Sequence, residues 1–148
     1  GGRFPETFVE IEEGGVSHRY YRTGDFVRED SDGQLFFLGR RDRMIKSRGQ
    51  RVELDEVEAV LGSLDKVAEA AVFAARGDDG SQQIHAAIIP TEESVNDRKI
   101  MIALQSMLSP AAIPVRIQVL RDFPRTTSGK IDRRALADSI NIDRHAGA

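Results

Sequence analysis

The 148-residue chain contains no cysteine, so neither a disulfide nor a thiolate nucleophile can form. Its three histidines, His18, His85 and His145, are scattered, and their spacing matches no metal-ligand motif. No apolar run approaches the roughly 20 residues that cross a bilayer, and the N-terminus does not resemble a signal peptide. We therefore expect a cytoplasmic protein that has no metal site of its own and does not enter a membrane.

An excess of positive charge is also missing. Lysine and arginine number 21 against 24 acidic residues, and the net charge of −3 argues against a general nucleic-acid binder. The hydrophobic content of 40% and the charged content of 30% are ordinary for a soluble globular protein. A chain of this length can hold one domain, or one domain and a piece of another.

The basic residues are nevertheless clustered in two segments. Six lie within residues 40–51 and five within residues 121–134. RNA is a poor explanation, because the only aromatic residue available for base stacking in either segment is Phe123. An anionic small ligand or an acidic protein partner explains the clustering better, so we expect no nucleic-acid partner.

The hydrophobic pattern divides the chain near residue 41. Residues 1–41 read as short strands with glycine-rich turns at Gly14-Gly15 and at Asp30 to Gly33, which predicts a short β-meander. Residues 42–140 predict a small domain that runs turn, helix, strand, strand, helix, strand, helix, with Asp55 as the cap of the first helix. The fold class is therefore α+β, with a mixed sheet and helices. Residues 141–148 carry no pattern and predict a disordered tail.

The segment 124–134, PRTTSGKIDRR, places Lys130 beside a glycine on a polar loop, just before a helix-like run. A cation on such a loop suits a phosphate or a carboxylate. The segment is not a phosphate-binding P-loop, because Pro124 stands where that motif needs glycine and Ile131 supplies no hydroxyl for magnesium. The alternative is an ordinary lysine on a solvated surface loop.

Three shorter patterns also contain candidate site residues. Asp25, after Thr23-Gly24, has a carboxylate suited to a ribose diol, or it is a turn residue that bonds its own backbone. Arg40 and Asp42 belong to a charged run that suits a phosphate, a ribose or a hinge, but that is also typical of a solvated surface. Gly49 lies in a turn where another molecule can approach the backbone closely.

The order and spacing of these motifs closely resemble the adenylate-forming ligase superfamily. The resemblance is carried by YRTGD at 21–25, GRRDRMIKSRGQRVE at 39–53 and PRTTSGKIDRRAL at 124–136, and it spans roughly residues 5–136. That superfamily comprises acyl-CoA synthetases, luciferase-like enzymes and the adenylation domains of nonribosomal peptide synthesis. It implies a large N-terminal domain and a small mobile C-terminal domain, of which residues 1–41 would supply the last strands of the former and residues 42–140 the latter.

The resemblance also implies an activity and a role for each matching residue. These enzymes join a carboxylate to ATP to form an acyl-adenylate, release pyrophosphate, and then transfer the acyl group to a thiol. Asp25 matches the aspartate that holds the ribose hydroxyls, and Arg40 matches an arginine near the same ribose. Asp42 matches the hinge, and Gly49 matches a glycine that lines the tunnel for the pantetheine thiol. Lys130 matches the lysine that reaches the carboxylate and the α-phosphate during adenylation.

Cofactors and partners follow from the same resemblance. ATP with Mg²⁺ is expected to bind mainly to the N-terminal adenylation domain, whose phosphate loop and acyl pocket have no counterpart in this sequence. The chain alone is therefore expected to be inactive. The segments 51–58 and 129–136 look most like those of amino-acid-adenylating enzymes that load the phosphopantetheine of a carrier protein.

Two alternatives stay open. The acceptor thiol could belong to coenzyme A, or the chain could be a non-catalytic module that binds a carrier protein. The context of Lys130 also resembles one in which this lysine is reversibly acetylated, which would remove its charge.

Overall fold

The computed structural model describes residues 8–146, and of residues 141–146 it describes only the backbone. The chain divides into two compact units between Asp42 and Arg43, one residue from the boundary that the hydrophobic pattern predicts. No helix within the described residues is long and apolar enough to cross a membrane.

The first unit consists of two antiparallel hairpins. Strand β1 (Phe8–Glu13) pairs with β2 (Val16–Tyr21), and β3 (Asp25–Glu29) pairs with β4 (Leu35–Arg40). The predicted meander therefore consists of two separate two-stranded sheets. Most large apolar side chains of these hairpins are exposed. Because a two-stranded hairpin is at best marginally stable in water, the described part of this unit has no adequate core of its own.

The second unit is built around a three-stranded mixed sheet. A 3₁₀ turn over Arg41–Arg43 leads into it from the first unit. Its elements are β5 (Met44–Ser47), β6 (Gln50–Glu53), α1 (Leu54–Gly62), β7 (Val67–Arg76), β8 (Gln82–Pro90), α2 (Asp97–Met107), β9 (Arg116–Val119) and α3 (Arg133–Ala146). Strand β8 pairs antiparallel with β7 and parallel with β9, while β5 and β6 form a separate hairpin. The predicted α+β class is confirmed.

Two hydrophobic clusters form the core of this unit. Alternate side chains of a strand point to opposite faces of its sheet, and Val72 and Phe73 on β7 accordingly belong to different clusters. The larger cluster packs α1 and α2 against the sheet through residues such as Leu61 and Leu104. The smaller one contains Phe73, Phe123 and residues of α3. Both faces of the sheet are therefore covered.

Three local features differ from the sequence-based expectations. Asp55 does not cap α1: Glu53 is the N-cap residue, and Asp55 lies in the first turn, where its carboxylate pairs with Arg43. The β5–β6 hairpin was expected only as a turn, because charged exposed residues hide the alternation of its four-residue strands. The predicted disordered tail is helical from 141 to 146, because no helix-breaking residue occurs before Gly147. Residues 147 and 148 lie outside the described residues.

The core prediction can be tested within α2. Leu104 is fully buried, whereas Ile102 on the same helix is 59% exposed. We expect Leu104→Ala to lower the free energy of unfolding by about 2–5 kcal/mol, through lost apolar contact and a residual cavity. Ile102→Ala should change it by less than about 0.5 kcal/mol. Urea titration of both variants measures the difference, and equal losses would contradict this assignment of the core.

Candidate functional site

Lys130 lies on a closed turn. The Thr126 N–H donates to the Lys130 carbonyl at 2.8 Å, and the Gly129 N–H donates to the Thr126 carbonyl at 2.9 Å. Arg125 and Ile131 face each other in an antiparallel bridge below it. Gly129 has a φ of 84°, a left-handed backbone conformation that residues other than glycine rarely adopt. The turn thus holds the backbone of Lys130 while its side chain is exposed.

The two ends of this turn are fixed to the second unit. Phe123 is buried in the smaller core cluster together with Leu136, so its ring is unavailable for stacking on a nucleobase. Asp132 donates its N–H to the Pro124 carbonyl at 2.7 Å, and its carboxylate accepts the Ala135 N–H at 3.0 Å. Asp132 therefore closes the base of the turn and caps α3.

An ion pair also connects the turn to strand β7. Arg125 Nη2 lies 3.0 Å from Glu69 Oε2, and both side chains are largely exposed. An exposed pair of this kind contributes about 0–1 kcal/mol, so its main effect is on orientation. No local pattern could have predicted it, because the partners are 56 positions apart.

Asp25, Arg40 and Asp42 form a second cluster, in the first unit. Asp25 and Arg40 are cross-strand partners on β3 and β4. Arg40 Nη1 lies 3.2 Å from Asp25 Oδ1, and Arg40 Nε lies 3.1 Å from Asp42 Oδ1. One guanidinium therefore bridges the two carboxylates. The structure brings together three residues that the sequence patterns had singled out in two separate motifs.

The surroundings of Asp25 are suited to a hydroxyl-bearing ligand. Its backbone N–H donates to Thr23 Oγ1 at 3.2 Å. A carboxylate has about four acceptor sites, so the ion pair made by Oδ1 leaves acceptor capacity for a diol. Asp25 lines an open depression with a mixed polar and apolar wall, formed by Tyr21, Arg22, Thr23, Gly24, Asp25, Phe26 and Arg41.

Gly49 lies at the tip of the β5–β6 hairpin. Ser47 pairs with Gln50, which leaves Arg48 and Gly49 as a two-residue turn with φ values of 49° and 78°. Positive φ at both positions is the signature of a type I′ turn, which favours asparagine, aspartate or glycine, and not arginine, at its first position. Lys46 and Arg51 face each other across the same hairpin, although like charges in that relation destabilise a ladder. The hairpin therefore carries a concentrated positive charge beside its glycine.

A carboxylate stands near this hairpin. Asp79 and the hairpin residues Lys46 and Arg48 line one depression. The pKa of the Asp79 carboxyl is lowered, first because the Ser81 hydroxyl donates to it and second because the Ser81 N–H does so. Asp79 is thus held ionised at this end of the unit.

The Gly49 hairpin and the Lys130 turn lie at opposite ends of the central sheet. Gly49 lines a depression together with Gln82, the first residue of β8. The Lys130 turn is joined through Arg125 to Glu69, which pairs with Ile89 near the other end of β8. The seven residue steps from Gln82 to Ile89 correspond to about 23 Å of strand.

A profile described as "AMP-binding enzyme C-terminal domain" matches residues 56–130, half of the chain. The chain belongs to this family. The matched region contains the central sheet and ends at Lys130. Asp25, Arg40, Asp42 and Gly49 lie before it.

Curated relatives include a peptidyl-carrier-protein ligase and a nonribosomal peptide synthase. The chain is 40% identical over 134 residues to L-allo-isoleucine:holo-(CmaA peptidyl-carrier protein) ligase of Pseudomonas savastanoi pv. glycinea, covering 89% of this chain and 22% of that protein. It is 34% identical over 135 residues to the dimodular nonribosomal peptide synthase of Bacillus subtilis, covering 91% of this chain and 6% of that protein. The chain thus spans about a fifth or less of the length of these relatives.

Solved structures of the superfamily share the fold. The o-succinylbenzoate CoA synthetase MenE of Bacillus subtilis, in complex with the acyl-adenylate intermediate OSB-AMP, matches with a TM-score of 0.67 and 33% identity. The match covers 78% of this chain and 24% of that one. The resemblance to adenylate-forming enzymes is thereby confirmed.

Among the side chains that the structure describes, no group of three or more acidic or histidine residues is placed to hold a metal ion.

The conformation of Gly129 generates a prediction with an internal control. A Cβ at Gly129 or at Gly62 meets no atom within 4 Å, but only Gly129 has a positive φ. We expect Gly129→Ala to lower the free energy of unfolding by about 1–2 kcal/mol because of backbone strain. Gly62→Ala, at the end of α1, should raise it by about 0.4–1 kcal/mol. Denaturant titration gives both values, and the same sign for both would contradict the described turn.

Proposed function

We propose that this chain is the C-terminal part of an ATP-dependent adenylate-forming ligase. The enzyme activates an amino acid as an acyl-adenylate and transfers the acyl group to the phosphopantetheine thiol of a carrier protein. The observation that carries this proposal is the placement of Lys130 and Gly49 on two shaped turns at opposite ends of one sheet. The peptidyl-carrier-protein ligase among the relatives supports the choice of acceptor.

Lys130 serves the first half-reaction. A carboxylate oxygen of the acid attacks the α-phosphorus of ATP, the new P–O bond forms, and pyrophosphate leaves. Negative charge accumulates on the phosphoryl oxygens and on the incoming carboxylate as this happens. An ammonium group held at that point stabilises the transition state. The closed turn that fixes the backbone of Lys130 limits the conformational freedom lost when its side chain engages.

Asp25 and Arg40 position the nucleotide. The Asp25 carboxylate accepts hydrogen bonds from the two ribose hydroxyls, and Arg40 orients that carboxylate through the ion pair at 3.2 Å. Both side chains are on the surface of the first unit, so the pair adds little stability, and its value lies in alignment. ATP and Mg²⁺ bind mainly to the N-terminal adenylation domain. The exposed apolar side chains of β1–β4 pack against the rest of that domain.

Gly49 serves the second half-reaction. The thiolate attacks the acyl carbonyl, the C–S bond forms, and AMP leaves. A glycine at the tip of the hairpin lets the narrow pantetheine arm pass close to the backbone. The neighbouring positive charge of Lys46, Arg48 and Arg51 suits the phosphate of that arm and an acidic carrier protein.

The separation of the two turns requires a domain movement. Two turns fixed near opposite ends of about 23 Å of strand cannot both act at a single reaction centre at the same time. The second unit therefore rotates between the half-reactions, and Asp42, at the boundary between the units, is the hinge. The departure of Lys130 gives the thiol access to the same carbonyl.

A second candidate acceptor is coenzyme A. MenE, which this chain matches at 33% identity, is a CoA synthetase. Thioester formation measured with the carrier protein and with coenzyme A separates the two acceptors. A non-catalytic carrier-binding module would instead bind the carrier with an affinity that survives Lys130→Ala, and it would have no effect on ATP turnover.

Removal of the Lys130 ammonium tests the first half-reaction. In the full-length enzyme, we expect Lys130→Ala to slow acid-dependent ATP–pyrophosphate exchange by about 100-fold to 1,000-fold. Lys66→Ala is the control, because Lys66 is an exposed lysine of the same unit that pairs with Glu92. An exchange rate that is indifferent to Lys130 would remove the lysine from the reaction and favour the binding module.

Alanine substitutions at two glycines with the same backbone conformation test the role of Gly49 in the second half-reaction. Gly49 and Gly80 have φ values of 78° and 79°, and a Cβ at either meets no atom within 4 Å. Alanine at either position should therefore cost similar stability. We expect only Gly49→Ala to slow acyl transfer from a preformed acyl-adenylate to the thiol, by about tenfold or more. Equal transfer rates in the two variants would exclude Gly49 from the path of the thiol.

A further inference from the structure

Glu58 of α1 lies at the centre of an ionic network. Its Oε2 accepts hydrogen bonds from Arg43 Nη2 at 3.0 Å, from the Val72 N–H at 2.8 Å and from Arg133 Nε at 3.2 Å. Its Oε1 accepts from Arg133 Nη2. Arg43 also donates to the Val72 carbonyl at 2.7 Å and to Asp55 Oδ1 at 2.7 Å. One carboxylate thus binds two guanidinium groups, and together with Asp55 it balances their charge.

The network is partly withdrawn from solvent. The side chain of Arg43 is 13% exposed, that of Glu58 21% and that of Arg133 31%. Charges in such a position are weakly screened, and removal of one partner leaves the others without compensation. The described ion pairs of the Lys130 turn and of Asp25 are more exposed. The Glu58 network is therefore the more rigid electrostatic connection.

The network joins segments that are distant in sequence. Arg43 is the first residue after Asp42, the boundary between the units. Val72 belongs to β7. Arg133 is the first residue of α3 and lies three positions after Lys130. A single carboxylate therefore connects the start of the second unit, its central sheet and the base of the Lys130 turn.

We propose that Glu58 is a positioning residue for Lys130, which it holds through Arg133. This inference rests on the function proposed above. Glu58 fixes the start of α3, which follows the turn. The position of α3 in turn fixes the backbone of Lys130, because the Asp132–Pro124 hydrogen bond and the Arg125–Ile131 bridge join the two ends of the turn. Because Glu58 does not contact the Gly49 hairpin in this network, its loss should affect adenylation more than acyl transfer.

The test combines a physical and a kinetic measurement on Glu58→Gln in the full-length enzyme. Amide hydrogen exchange at Thr126, Gly129 and Asp132 reports the hydrogen bonds of the turn directly. We expect exchange at these amides to accelerate about tenfold, and ATP–pyrophosphate exchange to fall about tenfold or more. Acyl transfer from a preformed acyl-adenylate should change less than about threefold.

Asp55→Asn is the matched control. Asp55 lies on the same helix and pairs with the same Arg43, but its recorded ion pair does not involve Arg133. The control should leave both the amide exchange of the turn and the ratio of the half-reactions unchanged. If Glu58→Gln does not fold, Arg133→Met replaces it, because Glu58 then keeps Arg43 and the Val72 N–H as partners.

Two results would overturn the inference. In the first, amide exchange of the turn is the same in Glu58→Gln and Asp55→Asn. In the second, the two half-reactions fall equally, as expected of a residue that only stabilises the fold. A wild-type enzyme that shows no pyrophosphate exchange with any acid would instead overturn the proposed function, and the amide exchange would still decide whether Glu58 holds the Lys130 turn.

Discussion

Strand β8 is the constraint on which the second unit depends. It is paired along both edges, antiparallel to β7 and parallel to β9, and its residues from Ile84 to Ile88 are buried. Both hydrophobic clusters use it: Ile84 and Ile88 face one cluster and Ala87 faces the other. A strand in this position cannot shift its register without exposing apolar side chains. Strand β8 therefore fixes the distance between the Gly49 hairpin and the Lys130 turn, which lie at its two ends.

The chemistry that we propose uses this fixed distance. One end of the sheet carries a lysine on a turn closed by its own backbone, and the other carries a glycine at the tip of a basic hairpin. Adenylation and thioester formation make opposite demands on the same carbonyl: the first needs a cation beside the phosphate, and the second needs space for a thiol. If the second unit moves as a rigid body, it can bring first the Lys130 turn and then the Gly49 hairpin to the reaction centre. Both demands are then met without a change in the internal structure of the unit.

The sequence predicted the parts of this arrangement that have local signatures. The helix stripe of α2, its end before Pro110, the long strands β7 and β8 and the type of fold all follow from hydrophobic periodicity and helix-breaking residues. The motifs around Asp25, Arg40, Gly49 and Lys130 were recognisable from their order. For the helices and strands, the information lies within about a dozen consecutive residues.

The features that the sequence did not reveal have no local sequence signature. Arg133 and Glu58 are separated by 75 positions, and neither has a neighbour that marks it as an ionic partner. The β5–β6 hairpin has strands too short, and too rich in exposed basic residues, for alternation to show. That the Lys130 loop is a closed turn depends on hydrogen bonds between backbone groups, which any residue can make. Of these features, only the Arg133–Glu58 pair depends on residues far apart in the chain.

A distance measurement tests the central claim of an alternating domain most directly. The chain has no cysteine, so labels can be placed at Ser31→Cys in the first unit and Gln105→Cys in the second, in a full-length enzyme freed of other accessible thiols. Both positions are exposed. Pulsed electron spin resonance should give one distance distribution with acid and ATP bound and a clearly different one once the acceptor thiol engages an acyl-adenylate analogue. A single unchanged distribution in both states would contradict the alternation of the two turns at one reaction centre.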